Sequence, residues 1–411
     1  MKITHQGNFE FCRWADHASG HNISDTTPQE FFQTHMANVR ASMLAGQRLQ
    51  ECHTCHQMEK HGKVSGRQRQ LLKVGIAEDQ FEKSLRSSPY WPAFVHSQYH
   101  KGHTDILPRD WQIDLGNHCN SACIYCAPES SSRLAQEFRR LKIINQEPSA
   151  LWSENSAQVD QLIHSLTTSP QLAYLHFLGG ETLITPAFRT VLQRLLDAGL
   201  TQVHIGFTTN LTVWDHDVVE LLKQFATVHI GLSVECFHPV NDYVRWPSQI
   251  DKVKQMAEQW IGLARHKAWY VQLRTTPTAL TIPYLTTVYD FALAHGVPIE
   301  SSNFLQDPAS LRMSVLPQHH RDQAADQLQA WIDQHSTGVK SQLVNVRNPA
   351  QYITQLTQDA ASYVHYLRTS PDETERLPDL VAYLKLLESS RHNCILDYLP
   401  EYESILRSAG Y

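Results

Sequence analysis

The chain has 411 residues, a length that suggests two or three units. Hydrophobic residues make up 42% of it, which is enough to form a substantial core. Its formal net charge is −6 with Lys and Arg scattered, which argues against a nucleic-acid-binding protein. No run approaches the roughly 18 apolar residues that indicate a membrane span. The polar start at 1–10 lacks the apolar core of a secretory signal, so we expect a cytoplasmic protein.

The first region, residues 1–105, is polar, rich in histidine and weakly periodic, with helical patterns at 28–51 and 65–74. It contains clustered cysteines. In a reducing compartment, clustered cysteines bind metal more often than they form disulfides. The region therefore predicts a small N-terminal metal-binding module.

The second region, residues 106–308, alternates β-type runs with amphipathic helical patterns. The runs lie at 111–117, 172–180, 203–210, 228–235, 271–277 and 299–305, and the helical patterns at 187–198, 217–225, 253–264 and 284–295. Such alternation predicts an α/β fold with a parallel sheet. Six units are too few for a closed eight-stranded barrel and predict an open (β/α)6 partial TIM barrel, with its chemistry at the C-terminal strand ends. Residues 309–411 predict a helical C-terminal extension.

The strongest motif is a C-x3-C-x2-C segment formed by Cys119, Cys123 and Cys126, directly after the first predicted barrel strand. Three thiolates can ligate three irons of a cubane [4Fe–4S] cluster and leave the fourth iron open to a ligand. The alternative is a zinc loop. Zinc sites usually take four ligands from paired C-x2-C knuckles, so the spacing favours the cluster.

This motif resembles that of the radical S-adenosylmethionine (SAM) superfamily. In that family the three cysteines hold the cluster, an aromatic residue often precedes the third cysteine (here Tyr125), and the open iron chelates SAM. The resemblance implies that an electron from the cluster cleaves SAM to methionine and a 5′-deoxyadenosyl radical, which abstracts hydrogen from a substrate. It also implies an electron donor such as flavodoxin or ferredoxin.

Two later strand ends match the family's SAM site. Gly179, Gly180 and Glu181 end the second predicted strand and resemble the family's glycine-rich turn, where the backbone approaches the methionine moiety and Glu181 or a carbonyl can take its ammonium. Thr209 and Asn210 end the third strand and would form a polar rim of the site. Without the resemblance, both segments are compatible with an ordinary turn at a strand end.

The fourth strand end adds Ser233 and Glu235, which alternation along a strand puts on one face. The family places a serine and an acid here against the methionine carboxylate and the ribose hydroxyls. Arg245, by the same resemblance, can pair with the methionine carboxylate, a charge-assisted contact; a surface arginine is the alternative. Arg274, inside the fifth strand, could meet substrate or cofactor or form a structural ion pair.

Cys12, Cys52 and Cys55 form a second set of possible metal ligands. Three interpretations compete: c-type haem attachment, because residues 52–56 read C-x-x-C-H; a zinc site completed by a histidine; or an auxiliary iron–sulfur cluster. The segment resembles the twitch module, a shortened SPASM extension, although that module often follows the barrel and here would precede it. The candidates for a fourth ligand are His17, His53, His56, Cys394 and the substrate itself.

These observations predict a radical SAM enzyme with oxidoreductase or transferase chemistry. Relatives with an auxiliary cluster often modify peptides, so we expect a peptide or protein side chain as substrate. One alternative is a small-molecule biosynthetic intermediate. Another is a non-catalytic iron–sulfur or zinc binding protein, which would form no 5′-deoxyadenosine from SAM.

Overall fold

The computed structural model describes residues 1–12, 15, 19–60, 65–73, 75–76, 79–145, 150–300, 304–336, 346 and 348–411. Its strands are β1 (Lys2–Ile3), β2 (Phe9–Glu10), β3 (Asp110–Asp114), β4 (Tyr174–Leu178), β5 (His204–Thr209), β6 (Val228–Ser233), β7 (Tyr270–Arg274) and β8 (Ile299–Glu300). They form one sheet in the order β2-β1-β3-β4-β5-β6-β7-β8.

The predicted partial barrel is confirmed. The strands from β3 to β8 are parallel neighbours in chain order, and each falls on a predicted run to within a residue at its start, except β4. Parallel neighbours need crossover connections, which here contain the helices between the strands. The predicted last run, 299–305, includes residues 301–303, which lie outside the described part of the chain.

The N-terminal residues extend this sheet. Strand β1 pairs antiparallel with β2 and parallel with β3, with Lys2 opposite Gln112. An ion pair of 2.8 Å joins Lys2 to Glu10 across the hairpin. No strand is predicted here from the sequence, because two-residue strands leave no detectable alternation. The division of the chain at residue 105 stays a prediction, with residues 1–10 sharing the barrel's sheet.

Helices occupy most of the remaining described chain. They are α1 (Pro28–Glu30), α2 (Ala37–Leu44), α3 (His53–Lys60), α4 (Gly66–Lys73), α5 (Phe81–Arg86), α6 (Trp91–Tyr99), α7 (Ser132–Arg140), α8 (Ser156–Thr167), α9 (Pro186–Asp197), α10 (His216–Leu222), α11 (Val240–Val244), α12 (Ile250–Lys267), α13 (Thr286–His295), α14 (Gln318–Ser336), α15 (Pro349–Thr369), α16 (Leu377–Arg391) and α17 (Glu403–Ser408). None of the helices described is both long and apolar enough to cross a membrane.

An aromatic cluster joins the sheet to its covering helices. Phe177 of β4 packs on Phe188 of α9 with ring centroids 5.0 Å apart, and Phe188 lies 5.8 Å from Phe207 of β5. Phe207 in turn meets Trp260 of α12 at 5.6 Å. All four side chains are fully buried, and each contributes about 1.5–3 kcal/mol by leaving water. This packing fixes the strands whose C-terminal ends carry the predicted site.

The predicted helical extension is also confirmed, and it packs onto the last barrel unit. Tyr289 of α13 donates to the Asp359 carboxylate of α15 at 2.7 Å. The Tyr352 hydroxyl of α15 donates to the Ala292 carbonyl at 2.7 Å. Helix α16 buries a stripe of leucines at helical spacing, Leu380, Leu384 and Leu387.

Candidate active site at the C-terminal strand ends

The cysteine loop leaves β3 and stays paired with the glycine turn that leaves β4. The Gly180 N–H donates to the Gly116 carbonyl at 2.9 Å, and the Glu181 N–H donates to the His118 carbonyl at 2.6 Å. A Cβ atom on Gly180 would lie 2.3 Å from the His118 oxygen and 2.6 Å from the Cys119 Cβ. Only glycine therefore allows the two loops to approach this closely.

The three thiols of the predicted triad lie together in this loop. Cys123 is buried, and Cys119 and Cys126 are half-buried. Burial raises the pKa of Cys119 to about 11 and that of Cys126 to about 12, and the charge of one thiolate raises the pKa of the next. The Arg245 guanidinium opposes this effect at all three cysteines. An iron–sulfur cluster binds thiolates, so a buried cation facing three thiols fits that group.

Glu181 is an entirely buried carboxyl held between the glycine turn and the end of β5. It accepts hydrogen bonds from the Asn210 N–H at 2.6 Å and the Leu183 N–H at 3.2 Å, and from the Thr209 side chain. Burial raises the pKa of Glu181 to about 7, against the opposing effect of these hydrogen bonds. At neutral pH this carboxyl can change its charge readily.

Asn210 connects the end of β5 to the cysteine loop. Its side-chain amide donates to the Asn120 side-chain oxygen at 2.8 Å and to the Ser121 hydroxyl at 3.0 Å. The Cys119 sulfur lies 4.0 Å from the same nitrogen. The structure thus brings Asn210 to the triad, where it anchors the loop that carries all three cysteines.

Tyr125, Glu235 and Arg245 form a buried hydrogen-bonded group beside the triad. The Tyr125 hydroxyl donates to Glu235 at 2.5 Å, and Arg245 lies 2.9 Å from the same carboxylate oxygen and also bonds the Tyr125 hydroxyl. The other Glu235 oxygen accepts from the Thr276 N–H at 2.5 Å. The side chains of Glu235 and Arg245 are 2% and 9% exposed, so this is a buried ion pair and not a surface arginine. Charge-assisted bonds of this kind hold the groups rigidly.

Ser233 and Arg274 lie opposite each other at the ends of β6 and β7. Arg274 donates to the Thr208 hydroxyl at 3.0 Å and forms an ion pair of 2.8 Å with Glu300. A Cβ on Gly231 would lie 2.7 Å from the Arg274 side chain, so glycine makes room for it. Of the two roles considered for Arg274, the structure shows the ion pair.

The second cysteine set is also brought together. Burial raises the pKa of Cys52, and the neighbouring Cys12 and Cys55 raise it further. Cys394 instead lies 3.2 Å from the Tyr411 hydroxyl. His17 lies outside the described residues. Within the described ranges, no group of three His, Cys, Asp or Glu side chains is placed to hold a single metal ion.

The residues after the C-x2-C pair form a polar network. Glu59 accepts from the Ser65 hydroxyl at 2.5 Å and from the Arg67 guanidinium at 2.6 and 3.0 Å. His56 lies 3.8 Å from the same carboxylate. Hydrogen bonds to Arg67 lower the pKa of Glu59, although burial opposes this. The network fixes the start of α4 against α3, which carries Cys55.

Helix α16 supplies contacts that sequence reasoning missed. The Tyr383 hydroxyl donates to the Ile124 carbonyl at 2.8 Å, and Arg391 donates to the Ala122 carbonyl at 2.8 Å. Arg391 also pairs with Glu137 of α7. The sequence contains one sign of this role. Arg391 follows Leu387 by four residues on the buried stripe of α16, at a position where an apolar residue is expected.

Comparisons with known proteins bear on this site. The Radical SAM superfamily model matches residues 113–264, which contain the triad and the strand ends from β3 to β6. An uncharacterized protein of Methanocaldococcus jannaschii is 20% identical over 217 residues, covering 50% of this chain and 65% of that protein.

Solved structures resemble the chain distantly. Streptococcus suis SuiB bound to precursor peptide SuiA has 12% identity and a TM-score of 0.39, over 72% of this chain and 62% of SuiB. Native anSMEcpe with bound AdoMet has 15% identity and a TM-score of 0.38, over 56% of this chain and 60% of anSMEcpe. In these three matches the chain spans less than two thirds of the length of the M. jannaschii protein, of SuiB bound to SuiA and of native anSMEcpe.

Proposed function

Because this chain belongs to the radical SAM superfamily through its residues 113–264, a family whose members use a [4Fe–4S] cluster and SAM, we propose that Cys119, Cys123 and Cys126 hold that cluster. The single observation that carries the assignment is the position of the triad. Its three thiols lie together at the C-terminal end of β3, against the turn at Gly180 and facing the buried cation of Arg245. When bound, the cluster supplies the electron that cleaves SAM to methionine and the 5′-deoxyadenosyl radical, which takes hydrogen from the substrate.

The surrounding residues would bind and orient SAM. The turn at Gly179 and Gly180 would bring its backbone close to the methionine moiety, and the buried Glu181 carboxyl would accept a hydrogen bond from its ammonium. Ser233 and Glu235, at the end of β6, would contact the methionine carboxylate and the ribose hydroxyls. Thr209 and Asn210, at the end of β5, would form a polar rim of the same SAM site. Glu181, Thr209, Asn210 and Glu235 are buried, and exclusion of water around them would strengthen each polar contact.

Arg245 would stand near the methionine carboxylate while held by Glu235 and Tyr125. A guanidinium that is already oriented loses little freedom on binding a second anion. Its charge would also offset the negative charge that the thiolates bring to the loop. Both effects depend on the buried position of this side chain and not on a surface contact.

Iron and sulfide analysis after anaerobic reconstitution tests the assignment. The triple variant Cys119→Ala/Cys123→Ala/Cys126→Ala should lose one cubane and all formation of 5′-deoxyadenosine from SAM under reduction. Cys236→Ala is the matched control, because it removes a buried thiol outside the loop and should keep both. Full iron retention by the triple variant would overturn the proposal. A cluster that is lost with the triad but never cleaves SAM would favour a non-catalytic iron–sulfur protein.

We further propose an auxiliary iron–sulfur cluster on Cys12, Cys52 and Cys55, and a peptide or protein side chain as the substrate. The proximity of these three thiols supports the first part. Iron that remains in the triad variant should be removed by Cys52→Ala and kept in Cys394→Ala, whose sulfur contacts Tyr411 instead. Zinc in place of that iron would contradict the cluster.

The substrate class needs its own measurement. Mixtures of cellular peptides and of small biosynthetic intermediates can be incubated separately with the reduced protein and SAM. Substrate-dependent 5′-deoxyadenosine in the peptide mixture, with a mass change of one peptide, is the expected result. If the same response occurred only in the small-molecule mixture, the substrate would be a small biosynthetic intermediate and not a peptide.

A further inference from the structure

A basic cavity of about 700 Å³ lies beside the cysteine loop. Cys119 lines it, together with Arg133, Arg139 and Arg140 of α7 and the ring of Trp246. None of the described residues that line it is a proposed SAM contact, although Cys119 is a proposed ligand of the cluster. The cavity therefore gives a second approach to Cys119, separate from the glycine turn and the ends of β5 and β6.

The walls of this cavity carry a net positive charge. Arg133 stacks its guanidinium 4.4 Å from the centre of the Trp246 ring and donates to the Asn120 carbonyl at 3.1 Å. Arg140 is exposed and Arg139 is half-buried. The acidic residue in the lining is Glu137, whose charge is compensated by Arg391 in a buried ion pair.

A neighbouring cavity extends the positive surface. Its volume is about 540 Å³, it shares Asn120 and Arg133 with the first, and it adds Lys252. No Asp or Glu is among the described residues lining it. The whole chain has a formal net charge of −6, so this positively charged surface is opposite in sign to the net charge of the chain.

We propose that this basic face, formed by Arg133, Arg139, Arg140 and Lys252 around Cys119, is the docking site for an acidic one-electron carrier protein. The inference rests on the proposed cluster, which the carrier would reduce. A surface of opposite charge steers and orients an acidic partner that the net charge of the chain would otherwise repel. In the transfer the carrier loses one electron and the cluster gains it, and no bond forms or breaks. The route is short because Cys119 itself lines the cavity.

Charge reversal with two different reductants tests this surface. The variant is Arg139→Glu/Arg140→Glu, and the matched control is Arg189→Glu/Arg194→Glu on α9, which changes the net charge equally at two exposed arginines elsewhere. Reduction of the cluster is followed by its absorbance after anaerobic mixing with a reduced flavodoxin or plant-type ferredoxin. We expect the second-order rate constant of the variant to fall roughly tenfold or more at low ionic strength, and that of the control to stay near wild type.

Photoreduced deazaflavin, a small neutral reductant, should reduce all three proteins equally and support equal 5′-deoxyadenosine formation. Equal carrier-driven rates in the variant and the control would overturn the docking site, as would a wild-type rate that does not fall with added salt. Loss of peptide binding at an unchanged carrier rate would assign the surface to another partner and overturn it too. If deazaflavin drives no SAM cleavage in wild type, the proposed function itself fails.

Discussion

Arg391, at the end of α16, forms an ion pair with Glu137 in α7 at 2.7 Å, and the two side chains are only 1% and 3% exposed. The same guanidinium donates to the Ala122 carbonyl inside the cysteine loop at 2.8 Å. The C-terminal extension therefore holds the loop that carries the triad. A helix with no motif of its own has a direct structural connection to the candidate metal site.

Removal of this arginine should be costly. Arg391→Ala leaves the Glu137 carboxylate buried without its partner, which costs about 3–5 kcal/mol. The free energy of unfolding, from urea denaturation, measures the loss. Arg368→Ala is the matched control, because its ion pair with Asp326 is exposed and should be worth about 0–1 kcal/mol. Equal losses in the two variants would contradict the structural role of the buried pair.

Gly180→Ala should disrupt the approach of the glycine turn to the cysteine loop. The added Cβ would meet the backbone oxygen of His118 at 2.3 Å, and this atom cannot move without shifting the loop. Overpacking of this kind costs about 1–3 kcal/mol and should lower cluster content after reconstitution. Gly262→Ala in α12 meets nothing within 4 Å and should be neutral or stabilise by about 1 kcal/mol. Normal iron content in Gly180→Ala would show that the loop tolerates the shift.

The stability of the cluster-free protein should depend on the ionisation of Glu181. Its pKa is raised from an ordinary 4.5 to about 7, chiefly by burial, so the folded state binds the proton more tightly than the unfolded state does. The free energy of unfolding should therefore fall as pH rises from about 4.5 to about 7, by roughly 3 kcal/mol from this group.

Glu181→Gln removes this contribution, and other groups titrate alike in both proteins. The difference between the two stability–pH curves isolates the carboxyl, measured by urea unfolding at each pH. Parallel curves across this range would mean that the pKa of Glu181 is not raised. A difference of the opposite sign would mean that the folded state favours the ionised form.

Tyr125→Phe should weaken the group formed with Glu235 and Arg245. The hydroxyl contacts both charged side chains, and its removal leaves each with one hydrogen bond fewer in a buried position. The expected cost is about 1–3 kcal/mol in the free energy of unfolding. Tyr270→Phe removes a partly exposed hydroxyl 3.2 Å from Gln272 and should change stability by less than about 0.5 kcal/mol. A Tyr125 variant as stable as this control would show that water replaces the hydroxyl.

The fold could be predicted where periodicity was long enough to read. The alternation of apolar runs and amphipathic helices predicted the strands from β3 to β8 and their parallel order. The hairpin of β1 and β2 could not be predicted, because a pair of two-residue strands has no period and gains its partners only from the sheet. The same limit applied to short helices such as α5 and α17.

The sequence by itself determined the chemistry of the candidate site: three cysteines in C-x3-C-x2-C spacing after a strand, followed by glycines, acids and an arginine at later strand ends. Spacing within one loop is a local property, and parallel strands bring their C-terminal ends to one edge. Only the tertiary structure decided the partners of these residues. It paired Arg245 with Glu235 and Tyr125, tied Asn210 to the cysteine loop, and set Arg391 against Glu137, which lies 254 residues earlier. Contacts over such separations depend on how whole elements pack, and no local pattern encodes them.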